Sequence, residues 1–128
     1  MTVGELIRHL EEYLHEDKKG RYYHRLRAHS SSYYDDVDED TIDCVYFRCG
    51  EVVLQSNETD NGNWSLIIPY IIHCLKFFDW DTTVVFCDSD EDLDYEYYDI
   101  TDFYVLDEEE GTENTRAFLQ CCTRNEYY

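Results

Sequence analysis

The chain has 128 residues, 43% apolar and 16% aromatic with 13 tyrosines, and its thirty acids against ten Lys and Arg give a formal charge of −20. That apolar content supports a packed core and weighs against the aromatic-poor acidic chain that stays disordered. The charge weighs against direct contact with nucleic-acid phosphates or an anionic membrane, both of which need a basic footprint, and favours a basic protein partner.

In chain order, the opening residues MTVGELIRHLEEY alternate too quickly for a secretory leader. They place Val3, Leu6, Ile7, Leu10 and Tyr13 on one helical face. Thr2 is the expected N-cap, with Glu5 completing a capping box. Strands are expected at Arg21 to Arg27, Ile42 to Phe47 and Glu51 to Ser56. A basic cluster (Lys18, Lys19, Arg21, Arg25, Arg27) precedes the acidic run Asp35 to Asp40, and the polar stretch SNETDNGN (Ser56 to Asn63) reads as a linker.

A second helix follows, capped by Ser65, with Ile68, Ile71, Ile72, Leu75 and Phe78 on its apolar face and Pro69 in its first turn. Thr82 to Cys87 is a β-branched and aromatic run that predicts a strand buried on both faces. After the acidic stretch Asp88 to Asp94 come a strand at Tyr97 to Leu106, a turn at Glu108 to Asn114 and a last strand at Arg116 to Cys122. No apolar run approaches membrane-span length. The six cysteines (Cys44, Cys49, Cys74, Cys87, Cys121, Cys122) fit no zinc or CxxC spacing, so reduced, mostly buried thiols of a cytoplasmic protein are expected.

The halves repeat. A shift of 65 superimposes the two helical apolar sets and brings Val53-Leu54-Gln55 onto Phe118-Leu119-Gln120, and a shift of 64 brings Tyr33-Tyr34-Asp35 onto Tyr97-Tyr98-Asp99. The predicted fold class is therefore α+β, a tandem duplication of an α-β-β-β unit packed as one pseudo-symmetric body: residues 1–56, a linker at 57–64, and a more acidic second copy at 65–128.

Catalytic signatures are missing: there is no HExxH, P-loop, GxGxxG or GxSxG among the residues, and no Cys/His pair at ligand spacing. Asp88 to Asp99 resembles a calcium loop in its opening acids, but Leu93 stands where the sharp turn needs Gly and the bidentate Glu is absent. No enzyme, cofactor or specific metal site is predicted; weak cation binding by the carboxylates stays open.

The acids and their interleaved tyrosines predict a partner-binding surface instead: Asp88, Asp90, Glu91, Asp92, Asp94, Glu96, Asp99 and Asp102, with Tyr95, Tyr97 and Tyr98 adding flat contact area and Glu108, Glu109 and Glu110 at the rim. Alternate carboxylates on a strand lie ~6.6 Å apart on one face, of the order of phosphate spacing along a nucleic-acid strand.

The openings TVGELIRHLEEY and IIPYIIHCLKFF, each leading to YYD and then to VLQ or FLQ, resemble short phage-borne proteins that begin TVxELIxxLxxY. In size, charge and lack of catalytic motifs the chain also resembles small acidic phage anti-defence proteins, anti-CRISPR and anti-restriction DNA mimics. That resemblance implies a non-enzymatic inhibitor of a basic nucleic-acid-binding effector (a CRISPR nuclease or restriction enzyme), acting in the host cytoplasm. The alternatives are an acidic adaptor without mimicry, including a homodimer joined through sheet edges, and a cation-dependent regulator.

Overall fold

A computed structural model describes residues 1–16, 23–30, 40–57, 65–89, 95–107 and 115–124. It contains helix α1 (Val3–Glu16), strands β1 (Leu26–Ser30), β2 (Asp40–Thr41), β3 (Cys44–Arg48) and β4 (Glu51–Asn57), helix α2 (Ile68–Leu75), and strands β5 (Val84–Ser89), β6 (Tyr95–Asp107) and β7 (Thr115–Thr123). The fold is α+β, as the residues predict.

All strands join one mixed sheet in the order β2-β1-β7-β6-β5-β4-β3. The β1–β7 and β4–β5 pairs are parallel and the rest antiparallel. The end strands β2 and β3 are separated only by Ile42 and Asp43. Three residue steps span at most about 11 Å, so the two ends of the sheet must meet. β2 and β3 are thus two pieces of one broken strand, and the sheet is a curled, six-strand body shared by both halves of the chain.

Helix α1 forms for the expected reasons. Thr2 Oγ1 accepts the Glu5 backbone N–H at 3.2 Å and donates to the Glu5 carboxylate at 3.2 Å. Its apolar stripe is buried throughout, with Val3, Leu6, Ile7 and Leu10 at 0% exposure. Helix α2 departs from expectation. Its N-cap is Ile67, without a side-chain cap, and Pro69 occupies the first turn where a missing N–H costs little. Ser65 turns away to share a hydroxyl hydrogen bond with Thr41. The helix stops at Leu75, so Phe78 lies beyond it, half-buried and stacked on Phe47 at 6.1 Å.

Both helices pack on one face of the sheet, against Leu26, Ala28, Val52, Leu54, Val84, Phe86, Ile100, Ala117 and Leu119. Each fully buried Leu or Ile contributes about 1.5–3 kcal/mol relative to exposure, so this layer is the main source of stability. Val53, Val85 and Cys87 are buried on the opposite face, flanked by Tyr46 and Tyr97. β5 is therefore buried on both sides, as its unbroken apolar run predicts. The first strand begins later than predicted, at Leu26 in place of Arg21, because its parallel ladder starts where Leu26 meets Ala117. Of the cysteines, all six free, only Cys87 and Cys121 are fully buried, and Cys49 is exposed, which corrects the expectation of mostly buried thiols.

Candidate partner-binding surface

The predicted surface falls on the β5–β6 hairpin. Residues 90–94 and 108–110 (Asp90, Glu91, Asp92, Asp94; Glu108, Glu109, Glu110) lie outside the described residues, as does the Tyr95 side chain. The remaining six divide between two faces. Successive side chains of a strand point to opposite sides, so Glu96 and Tyr98 share the helix-bearing face of β6 while Tyr97 and Asp99 occupy the other. A register shift between Ile100 and Asp102 inserts Thr101 and returns Asp102 to the face of Asp99.

Burial separates these residues further. The Tyr98 ring is 8% exposed, packs 6.0 Å from Phe86, and its hydroxyl donates to the Glu96 carboxylate at 2.6 Å. It belongs to the core, which corrects its assignment as a contact residue; the run of tyrosines gave no sign of which one pointed inward. Asp88 is half-buried and stands opposite Glu96 across the β5–β6 ladder. Like charges in facing positions oppose pairing, and here Glu96 also accepts the Tyr98 hydroxyl. Asp102 and Glu96 are exposed. Asp99 is engaged: Arg124 Nε donates to its Oδ1 at 2.9 Å.

That arginine organises the face opposite the helices. Its guanidinium bridges Asp99 of β6 to Glu51 of β4, and those hydrogen bonds, Glu51 foremost, raise its already high pKa. Nearby, the Arg48 guanidinium lies 4.8 Å over the Tyr97 ring. The cross-strand row Tyr46–Val53–Val85–Asp99–Cys122 runs beneath them. Together Arg48, Cys49, Glu51, Val53, Val85, Tyr97 and Arg124 line an open cleft of about 290 Å³. Neither arginine stood out in the sequence, because their proximity depends on the β3–β4 turn and on the end of β7 coming together.

Burial pushes the Cys87 thiol up to about 11, with Asp88 adding to the effect, and pushes the Tyr46 phenol up to about 12, with Cys87 next. Both are protonated at neutral pH, so the thiol on this face is not a nucleophile there. Among the described residues no three His, Cys, Asp or Glu side chains are grouped to hold a metal ion, and no helix is long and apolar enough to cross a membrane. No protein-family model, curated protein or solved structure matches the chain.

Proposed function

We propose that the chain is a non-enzymatic protein inhibitor that occupies the nucleic-acid site of a basic defence effector, a CRISPR nuclease or restriction enzyme, by presenting an acidic mimic of nucleic acid. The observation that carries this reading is a charge of −20 held on a folded, tyrosine-rich chain. Self-repulsion of that size works against compactness, and a basic groove is the surface it fits. The exposed Glu96 continues the acidic segment 88–94 into β6 on the helix-bearing face, and Asp102 adds an exposed carboxylate on the other face of the same strand.

One observation favours an acidic adaptor without mimicry. Asp99 pairs with Arg124 and Tyr98 fills the core, so two residues of the predicted surface serve the fold. Cleavage assays separate the readings. Purified protein is titrated into DNA cleavage by a panel of CRISPR nucleases and restriction enzymes, at low and high salt and with excess competitor DNA. Mimicry predicts inhibition of at least one enzyme that weakens with salt and with competitor, and that weakens again when Asp90, Asp92 and Asp94 are changed to Lys. Undisturbed cleavage throughout, or inhibition indifferent to salt and DNA, rejects mimicry and leaves the adaptor.

We also propose that the two halves arose by duplication of the α-β-β-β unit. Their internal registers support it. The isolated bridges Thr2 to Thr83 and Ile67 to Arg25 exchange the halves, with positions 2 and 67 lying 65 apart and 25 and 83 lying 58 apart. The same two offsets relate the parallel pairs Val52–Val84 and Leu26–Ala117, and the antiparallel pairs Cys44–Gln55 and Asp102–Gln120. The two offsets differ by seven residues, and six of those are the difference between α1 with 14 residues and α2 with 8. The lost length returns in the β6–β7 connection, residues 108–114, where β3–β4 has only Cys49 and Gly50. The match of Tyr33-Tyr34-Asp35 at shift 64 lies outside the described residues, and the middle strands run at 58, so the ladder does not carry it.

A further inference from the structure

We infer that the aromatic surface around the end of α2 is a second docking site, for a protein segment that combines apolar side chains with Lys or Arg. Tyr70, His73 and Phe77 form a continuous run of ring contacts along the outer side of α2 and the turn after it, the first pair tilted at 6.2 Å between centroids and the second edge-to-face at 5.3 Å. Tyr70 is 52% exposed, Phe77 76%, and Trp80, three residues on, 56%. Phe47 of β3, also exposed, stacks on Phe78, the residue after Phe77. Scattered apolar side chains are ordinary on a protein surface, but aromatics gathered in one turn are the composition of an interface centre.

The turn is held rigid. Gly4 N–H donates to the Trp80 carbonyl at 2.9 Å, Val3 N–H donates to the Thr82 carbonyl at 2.8 Å, and a Cβ at Gly4 would come within 2.7 Å of the Trp80 ring. Trp80 therefore lies on α1 backbone at a point where only Gly leaves room for it. A rigid aromatic platform loses little entropy on binding.

Charge selects the occupant. The exposed charges around these rings are Asp79, Asp81 and, on the first turn of α1, Glu5, against one cation, Lys76 at the end of α2, so the rim is acidic on balance. In a two-fold contact between copies this acidic rim would meet itself, on partners each carrying −20. A segment bearing cations beside its apolar side chains satisfies both rim and centre. The site extends the reading of the chain as a partner-binding protein, but it lies apart from the β5–β6 hairpin and stands on its own observations.

Fluorescence tests it. Changing Trp64 to Phe leaves Trp80 as the one tryptophan reporter in the full chain. Two synthetic peptides of equal length and charge serve as probes, one of Lys and Leu in amphipathic helical order, the other of Lys and Ser in the same order. The Leu peptide is expected to shift Trp80 emission to the blue and bind about tenfold more tightly than the Ser peptide. Phe77→Ser or Tyr70→Ser, both at exposed positions, should remove most of that difference while leaving the salt dependence and the thermal melt in place. Equal affinities of the two peptides, or a difference that survives both substitutions, overturns the inference. So does a stable dimer in sedimentation that Phe77→Ser disperses, since the surface is then filled by a second copy. Loss of salt-dependent binding of both peptides would instead count against the acidic reading, which keeps the two failures apart.

Discussion

Single side chains decide what each face of this sheet can do. Tyr97 and Tyr98 are neighbours of identical chemistry, yet one sits under Arg48 on the cleft face and the other fills the core beside Phe86. Cys87 shows the same dependence on place. Its ordinary thiol value of 9.0 is raised by burial to about 11, so the native state keeps a proton that the unfolded chain releases earlier. The stability this contributes is complete below pH 9 and is lost as the pH rises through 9 toward 11. Denaturant melts across that range should therefore show a falling midpoint, by at most about 3 kcal/mol from this group. In Cys87→Ala the fall should begin later and be shallower, leaving only what Tyr46 adds between 10 and 12, itself reduced because Cys87 helps to raise that phenol. An unchanged slope in the variant would show that Cys87 is not its source.

Elements reveal where the chain departs from its own pattern. The β3–β4 hairpin turns through Cys49 and Gly50, with φ of 53° and 81°, the two-residue geometry in which both central residues are left-handed. Gly accepts this without strain and Cys does not, whereas Asn tolerates it. Cys49→Asn is expected to stabilise the protein by about 0.5 kcal/mol, read as a higher urea midpoint at unchanged m-value. A lower midpoint would mean that the exposed thiol makes a contact worth more than the turn strain. The helices carried a clearer signal. Every apolar position of α1 read from its spacing is buried, because a 3.6-residue period leaves one stripe facing the sheet. The end of α2 was not legible, since Phe77, Phe78 and Trp80 continue an apolar run while the backbone has already turned toward β5. Ser65 looked like a cap on residue type alone, but the chain enters α2 two residues later, and the hydroxyl serves Thr41.

At the scale of the whole molecule, charge and topology pull in opposite directions. A charge of −20 on a chain of this size repels itself, and the curled sheet holds the halves together through the parallel β4–β5 and β1–β7 seams. Screening relieves the repulsion, so the melting temperature should rise by several degrees between low and moderate sodium chloride, and more than for a neutral protein of equal length. A melting temperature flat across that range would mean that the acids are already neutralised by bound cations, the regulator reading that the acidic segment 88–94 first suggested.

Composition, the helical period and the β-branched runs were enough to determine an α+β chain, the stripe that α1 buries, the double burial of β5 and the acidity on which the proposal of a basic partner rests. These depend on residue type and on neighbours a few positions away. Tertiary structure alone decided that the middle strand of the first half breaks at Ile42 and Asp43 so that both sheet ends meet, that Arg124 reaches Glu51 and Asp99, and that Phe47 stacks on Phe78 beyond α2. Each of these joins residues far apart in the chain. Their meeting follows from which strands pair and in what register, and local propensity carries no record of that choice.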